Sequence, residues 1–365
     1  MPIKIKLKFV FIGSLIIFIL ASISPILSTD KKSGINENTP FIYPDLSFFP
    51  PLPTSNNEPS IEGAELGRYL FYDPILSFDS TISCASCHRQ EAAFSDAPKA
   101  FSSGMNGELM NRNTMPLFNL AWYPSFFWDG KAETIESQVF FPVRAHNEMN
   151  LNWVEAEKRI NESVFYAEKF KEVFAVSIVD SISIAKAIGQ FERTLFSTHS
   201  KYDRVLSGKD FFSADEYEGF VLINDQSKGD CLHCHTTDGS ALGTITSFSN
   251  NGLESIPNRE GYIDFGRAEV TFDNSDIGKF KIPSLRNLGF TAPYMHDGRF
   301  SNLEEVLDFY SSGVHLSATI DSKMTHAKDG GVHLTEHEKR KIIAFLNTMN
   351  DSLFISNPAL SSPFK

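Results

Sequence analysis

All four cysteines of the chain fall in two copies of one five-residue pattern, CASCH over 84–88 and CLHCH over 231–235. Two chemistries use such spacing. A pair of CxxC knuckles can hold one tetrahedral zinc ion, and CxxCH can fix one haem through two thioether bonds while offering its histidine as an axial ligand. The histidines decide between them. A four-thiolate zinc site would use Cys84, Cys87, Cys231 and Cys234 and would have no use for His88 and His235 at the same place after each pair. Haem uses both. A disulfide framework is the weakest reading, because adjacent CxxC pairs staple a 365-residue chain poorly. The pattern therefore predicts two covalent haem c groups and no structural zinc.

Other features of the chain fit that chemistry. Lys4, Lys6 and Lys8 precede the apolar run FVFIGSLIIFILASI, which reads over 1–28 as an export signal or, if uncleaved, an N-terminal anchor. Covalent haem attachment takes place outside the cytoplasmic membrane, so a periplasmic location is expected. Residues 29–60 are polar and proline-rich, as in a linker or a surface arm, and no core is expected before Ile61. A net charge of −12 excludes nucleic acid as a partner and permits docking of a basic electron-transfer protein.

The elements that must carry the two motifs read as helices. IEGAELGRYLFYDPILS leads into the first motif and SADEYEGFVLINDQSKGD into the second, a weak internal repeat. VEAEKRINESVFYAEKFKEVF and SISIAKAIGQFERTLF read as amphipathic helices, and LTEHEKRKIIAFLNTM as a terminal helix capped by Thr335. No segment shows evenly spaced alternating strands. The expectation is a mainly α protein of two c-type cytochrome domains with long loops, 61–208 around the first haem and 209–350 around the second, followed by a tail over 351–365.

The strings RNTMPLFNLAWYPSFFWDGKAETIESQVFFP and KIPSLRNLGFTAPYMHDGRFSNLEEVLDFY, together with the two motifs, resemble the bacterial diheme cytochrome c peroxidase and MauG family over residues 61–349. The resemblance implies that the first haem, with His88 as proximal ligand, reacts with hydrogen peroxide. It implies Glu148 as the acid–base group, Gln138 as the residue that orients peroxide, Pro142 as a pocket wall and Trp128 as a relay between the haems. Many relatives close the peroxide face with a histidine in the loop after the first motif. Here that loop has none, only Met105 and Met110 as substitutes in what reads as a solvated segment, so an open, always-ready iron is expected.

The resemblance also implies His235 as one ligand of the second haem and, one helix after PYMHDG, Tyr310 as the other, the MauG arrangement in place of a methionine. Met295 and Met324 are the alternatives if the register differs, and His296 is expected at a haem edge. The resemblance further implies a calcium ion held by Asn113, Thr291 and Pro293. The implied activity is peroxide reduction with electrons from a small cytochrome c or cupredoxin. The alternative is a MauG-like oxidation of a residue on a partner protein. A plain diheme electron carrier would leave Gln138 and Glu148 without a purpose.

Overall fold

Most helices of the chain begin where a short polar side chain precedes a run with helical apolar spacing. Ser60, Thr134, Asn152, Ser163, Asp180, Ser213 and Thr335 each turn a side-chain oxygen back to accept an otherwise unpaired backbone N–H of the first turn. The computed structural model of the protein describes residues 38–237, 240–256 and 261–364. Among them are α1 (Ile61–Tyr72), α2 (Cys84–Cys87), α3 (Ile135–Arg144), α4 (Trp153–Glu162), α5 (Val164–Phe174) and α6 (Ser181–Arg193). There follow α7 (Lys201–Leu206), α8 (Ala214–Asn224), α9 (Ala268–Thr271), α10 (Leu303–Asp308), α11 (Glu336–Asn347) and α12 (Ser352–Ser356). The protein is mainly α.

The expected helix over 154–174 is divided. Ser163 closes α4 with its own N–H and caps α5 with its side chain. The only described strands, β1 (Phe248–Ser249) and β2 (Phe280–Lys281), form a two-residue antiparallel pair with Phe248 opposite Lys281.

Two apolar clusters carry most of the core. One joins α1, α3, α4, α5 and α6 through Leu66, Leu70, Val139, Ile160, Phe170 and Ile188. The other joins α7, α8, α10 and α11 through Tyr202, Ile223, Leu307, Ile342 and Phe345. The described residues form one compact unit.

The ends of the described chain differ from expectation. Within the proline-rich arm, Phe41, Tyr43 and Phe49 pack on buried Trp122 and Phe196, and Trp122 donates its indole N–H to the Pro50 carbonyl at 2.9 Å. Aromatic residues thus seat the arm on the core before Ile61. The segment after 350 packs on the core. Phe354 of α12 lies among Phe94 and Phe118, with ring centroids at 5.5 and 6.1 Å, and Tyr72 donates to the Leu360 carbonyl at 2.8 Å. No described helix is long and apolar enough to cross a membrane, and the leader expected over 1–28 lies outside the described residues.

Candidate active site

Helix α2 is a single turn, held by reciprocal capping between Ser83 and Ser86. Cys84, Cys87 and His88 stand at i, i+3 and i+4, and one turn of helix sets such positions on one face. All three line a cavity of about 450 Å³, a size suited to a cofactor cleft. The His88 Nδ1–H donates to the Phe94 carbonyl at 2.8 Å, which leaves Nε2 free to bind a metal ion. Burial lowers the pKa of this imidazole, keeping it in the neutral, ligating form.

The second motif is a turn in which the His235 N–H donates to the Cys231 carbonyl at 2.8 Å, the same bond that His88 makes to Cys84 at 2.9 Å. Its Nδ1 lies 3.3 Å from the Gly243 carbonyl, and burial lowers its pKa to about 4. Cys231, Cys234 and His235 line a second, separate cavity. Four thiolates of two different cavities cannot share one zinc ion, and burial holds all four thiols up in their neutral form. The residues present fit two thioether-bound haems.

The first cavity, which His88 lines, also receives Gln138, Pro142 and Glu148. Gln138 and Pro142 are four residues apart on α3 and so share its inner face. The chain then turns back. Glu148 N–H donates to the Ala145 carbonyl at 3.0 Å and Met149 N–H to the Pro142 carbonyl at 3.1 Å, which returns Glu148 to the wall that Pro142 forms. Burial raises the Glu148 pKa above its ordinary 4.5, and the Lys131 ammonium partly opposes the shift. No described residue hydrogen-bonds its carboxylate.

Met110 was expected in a solvated loop. It lines this cavity, with its sulfur accepting from Asn147 Nδ2 at 3.7 Å, and Met115 lines it too, whereas Met105 does not.

Trp128 lines both cavities. A tight loop presents it. Phe126 N–H donates to the Ala132 carbonyl at 2.7 Å, and Gly130 turns the chain at φ +74°, where an added Cβ would lie 2.4 Å from the Phe248 ring. The Trp128 indole N–H donates to the Asn113 carbonyl at 2.8 Å, and its own carbonyl accepts from Lys281 N–H at 2.8 Å.

Asn113, Thr291 and Pro293 all line the second cavity. The Asn113 amide nitrogen is committed to the Ala100 carbonyl at 3.0 Å, so its oxygen is the atom left for a cation.

Tyr310, Met295 and Met324 all line the second cavity. The Tyr310 side chain leaves a π-turn, Phe309–Gly313, that ends α10. Such one-turn widenings recur at functional sites. Burial raises its hydroxyl to about 12, and donation from Asn251 Nδ2 at 3.0 Å acts in the opposite direction. His296 lines the same cavity and stacks on Phe280 at 3.6 Å between centroids.

Three residues of the site carry no motif. Glu192, only 6% exposed on α6, lines the first cavity, and burial lifts its carboxyl to about 8. Lys281, 4% exposed, lines both cavities and donates to the Ser125 carbonyl; burial lowers it to about 7. The third is Asn251. Glu192 had a signal in the sequence, since it continues the series Ile184, Ile188 at four-residue spacing on the buried face of α6. Asn251 sits in an irregular segment and Lys281 in a strand of two residues, too short for a period to show.

The profile of the di-haem cytochrome c peroxidase family matches residues 61–211. The methylamine utilization protein MauG of Methylorubrum extorquens is 33% identical over 293 residues, 79% of this chain and 78% of its own. Cytochrome c551 peroxidase of Nitrosomonas europaea is 34% identical over 287 residues, 78% of this chain and 79% of its own. A solved MauG-like protein associated with microbial copper homeostasis superposes with TM-score 0.81 at 31% identity, covering 89% of this chain and all of that one. Two haem-attachment motifs in two adjoining cavities and these similarities lead to one conclusion: the chain belongs to the di-haem cytochrome c peroxidase and MauG family, whose members are haem c oxidoreductases.

Proposed function

We propose that the protein reduces hydrogen peroxide in the first cavity, on a haem held by Cys84, Cys87 and His88. Electrons reach it past Trp128 from a second haem held by Cys231, Cys234 and His235. The observation that carries this reading is Glu148, a carboxyl with no hydrogen bond among the described residues, turned into the cavity that also receives His88. Residues 61–208 and 209–350 each furnish one haem, and a periplasmic location follows from the leader and the covalent attachment.

Reduction of one peroxide to two waters breaks the O–O bond and consumes two protons and two electrons. Haem iron supplies the coordination site and the redox chemistry. Glu148 takes the proton from the incoming oxygen and returns it to the departing one, which leaves as water. Gln138 orients the peroxide through its amide, and Pro142 walls the pocket against a larger ligand. Trp128, touching both cavities, passes electrons from the second to the first. Asn113 through its side-chain oxygen, and Thr291 and Pro293 through backbone oxygens, would hold a calcium ion beside this path, as hard oxygen ligands suit it.

The electron source in this reading is a small cytochrome c or cupredoxin. One observation favours the MauG-like alternative, in which the source is a side chain of a partner protein: Tyr310 enters the second cavity with a hydrogen-bond donor on its oxygen. A phenolate on iron favours the ferric state and a low potential, which suits storing an oxidising equivalent and makes acceptance of electrons from a high-potential donor uphill. Adding peroxide to the diferric protein, then reduced cytochrome c or periplasmic extract in separate samples, tests both. Catalytic oxidation of the cytochrome supports the first source and a covalently altered protein in the extract the second. No spectral response to peroxide overturns the enzyme reading.

A further inference from the structure

The second cavity offers its iron two ligands within reach of one amide. Asn251 Nδ2 lies 3.0 Å from the Tyr310 hydroxyl oxygen and 3.8 Å from the Met295 sulfur. Both side chains line the cavity that holds His235 and belong to one apolar cluster with Leu253 and Phe309. Met295 occupies a backbone conformation with φ +75°, uncommon for a residue with a side chain of this size, so its place in the cavity is imposed by the loop.

Asn251 itself is clamped. On one side buried Asn250 spreads its amide over the Tyr262, Ser317 and Thr319 hydroxyls at 3.2, 3.2 and 2.9 Å. On the other, Gly252 exchanges main-chain contact with His315, whose N–H donates to its carbonyl at 2.9 Å. A Cβ on Gly252 would meet the His315 carbonyl at 2.6 Å. A backbone held on both flanks presents Asn251 as a preorganised donor, not as a surface amide that happens to touch a phenol.

An N–H bonded to a phenolic oxygen fixes where that oxygen lies and leaves it a lone pair for a metal, and the same amide engages a sulfur lone pair that iron would otherwise use. We propose that Asn251 selects Tyr310 over Met295 as the sixth ligand of the second haem, acting as a positioning residue that donates to the one oxygen and occupies the one sulfur. This inference rests on the reading that Tyr310 binds the second iron. It adds the device by which a cavity containing a methionine nevertheless takes a phenolate.

The test uses the holoprotein with both haems attached. Ferric Asn251→Leu should gain the near-infrared band of thioether ligation, with a rise in the second haem's midpoint potential and no change in the first haem's spectrum. That band should vanish in Asn251→Leu/Met295→Leu. Met295→Leu alone should match the parent. Asn251→Asp, which replaces the donor by an acceptor and keeps the volume, should shift in the same direction and serves if the leucine variant fails to fold. An Asn251→Leu or Asn251→Asp protein with the parent's spectrum and potential overturns the proposal, as does a thioether band that survives loss of Met295, which would assign it to Met324. Tyr310→Phe separates the two levels. If it leaves the parent spectrum unaltered, the phenolate reading itself fails; if it alters the spectrum while Asn251→Leu does not, only the selection fails.

Discussion

Glu148 and Trp128 divide the proposed work between proton and electron, and each makes a separate prediction. Replacing Glu148 by Gln keeps the shape and removes the base, so the first spectral change after peroxide addition should slow by about 10²–10⁴-fold while both haems stay attached. A rate within a few-fold of the parent would remove the carboxylate from the mechanism. Because burial raises this carboxyl above 4.5, the parent's rate should fall on acidification at a pH higher than for a free glutamate, and the Gln variant should lose that limb. Trp128 hydrogen-bonds an amide carbonyl, which is no base, so its N–H proton stays in place when an electron leaves the ring. Transfer between the haems should show no solvent deuterium isotope effect, and Trp128→Phe should slow it without slowing peroxide consumption. A sizeable isotope effect would mean that another group carries the charge. The two CxxCH motifs stood out in the sequence because the proposed thioether and iron chemistry would fix their spacing. Asn251 and Lys281 were not, because a loop and a two-residue strand place their side chains through contacts distant in sequence.

Helix α6 shows what the elements contribute and what they cost. Its buried face runs through Ile184 and Ile188 to Glu192, so helical geometry carries a carboxyl into an apolar wall. Moving that group from 4.5 to about 8 makes its ionisation in place cost on the order of 5 kcal/mol. The folded state keeps the proton that the unfolded state loses above 4.5, so stability should fall as pH rises from there to about 8. Glu192→Gln should flatten this slope in urea unfolding midpoints measured at pH 5 and pH 8. An unchanged slope would place the linkage elsewhere. Thr335 has the opposite effect, since it caps α11 reciprocally with Glu338, and Thr335→Ala should cost about 1 kcal/mol. Caps and period made α1, α6 and α11 readable before the fold was known. Division of 154–174 at Ser163 was harder to see, because one serine both ends α4 and begins α5 while the apolar spacing runs on either side.

Across the whole molecule, the halves hold each other's sites. Arg112 joins Asp129, beside Trp128, to Asp264 and Glu269 of the later chain at 2.5, 2.7 and 3.1 Å, and Arg267 donates to the Asp129 and Gly130 carbonyls. Such pairing across 152 residues leaves no local trace in a sequence. The same holds for α12, whose Phe354 is 3% exposed among residues of the first half, including Phe118 of the first cavity's wall. Phe354→Ala should therefore cost about 3–5 kcal/mol. The order of synthesis gives this contact a further meaning. A chain emerging N-terminus first presents Cys84 and Cys87 early, yet Phe354, which backs the wall of their pocket, follows the whole second motif and α11. The first haem's surroundings can be completed only when that segment has been made and has folded back. A protein ending at Asp351 should then keep the absorption of the second haem and show an altered first haem, although the cut adjoins the second haem's part of the chain.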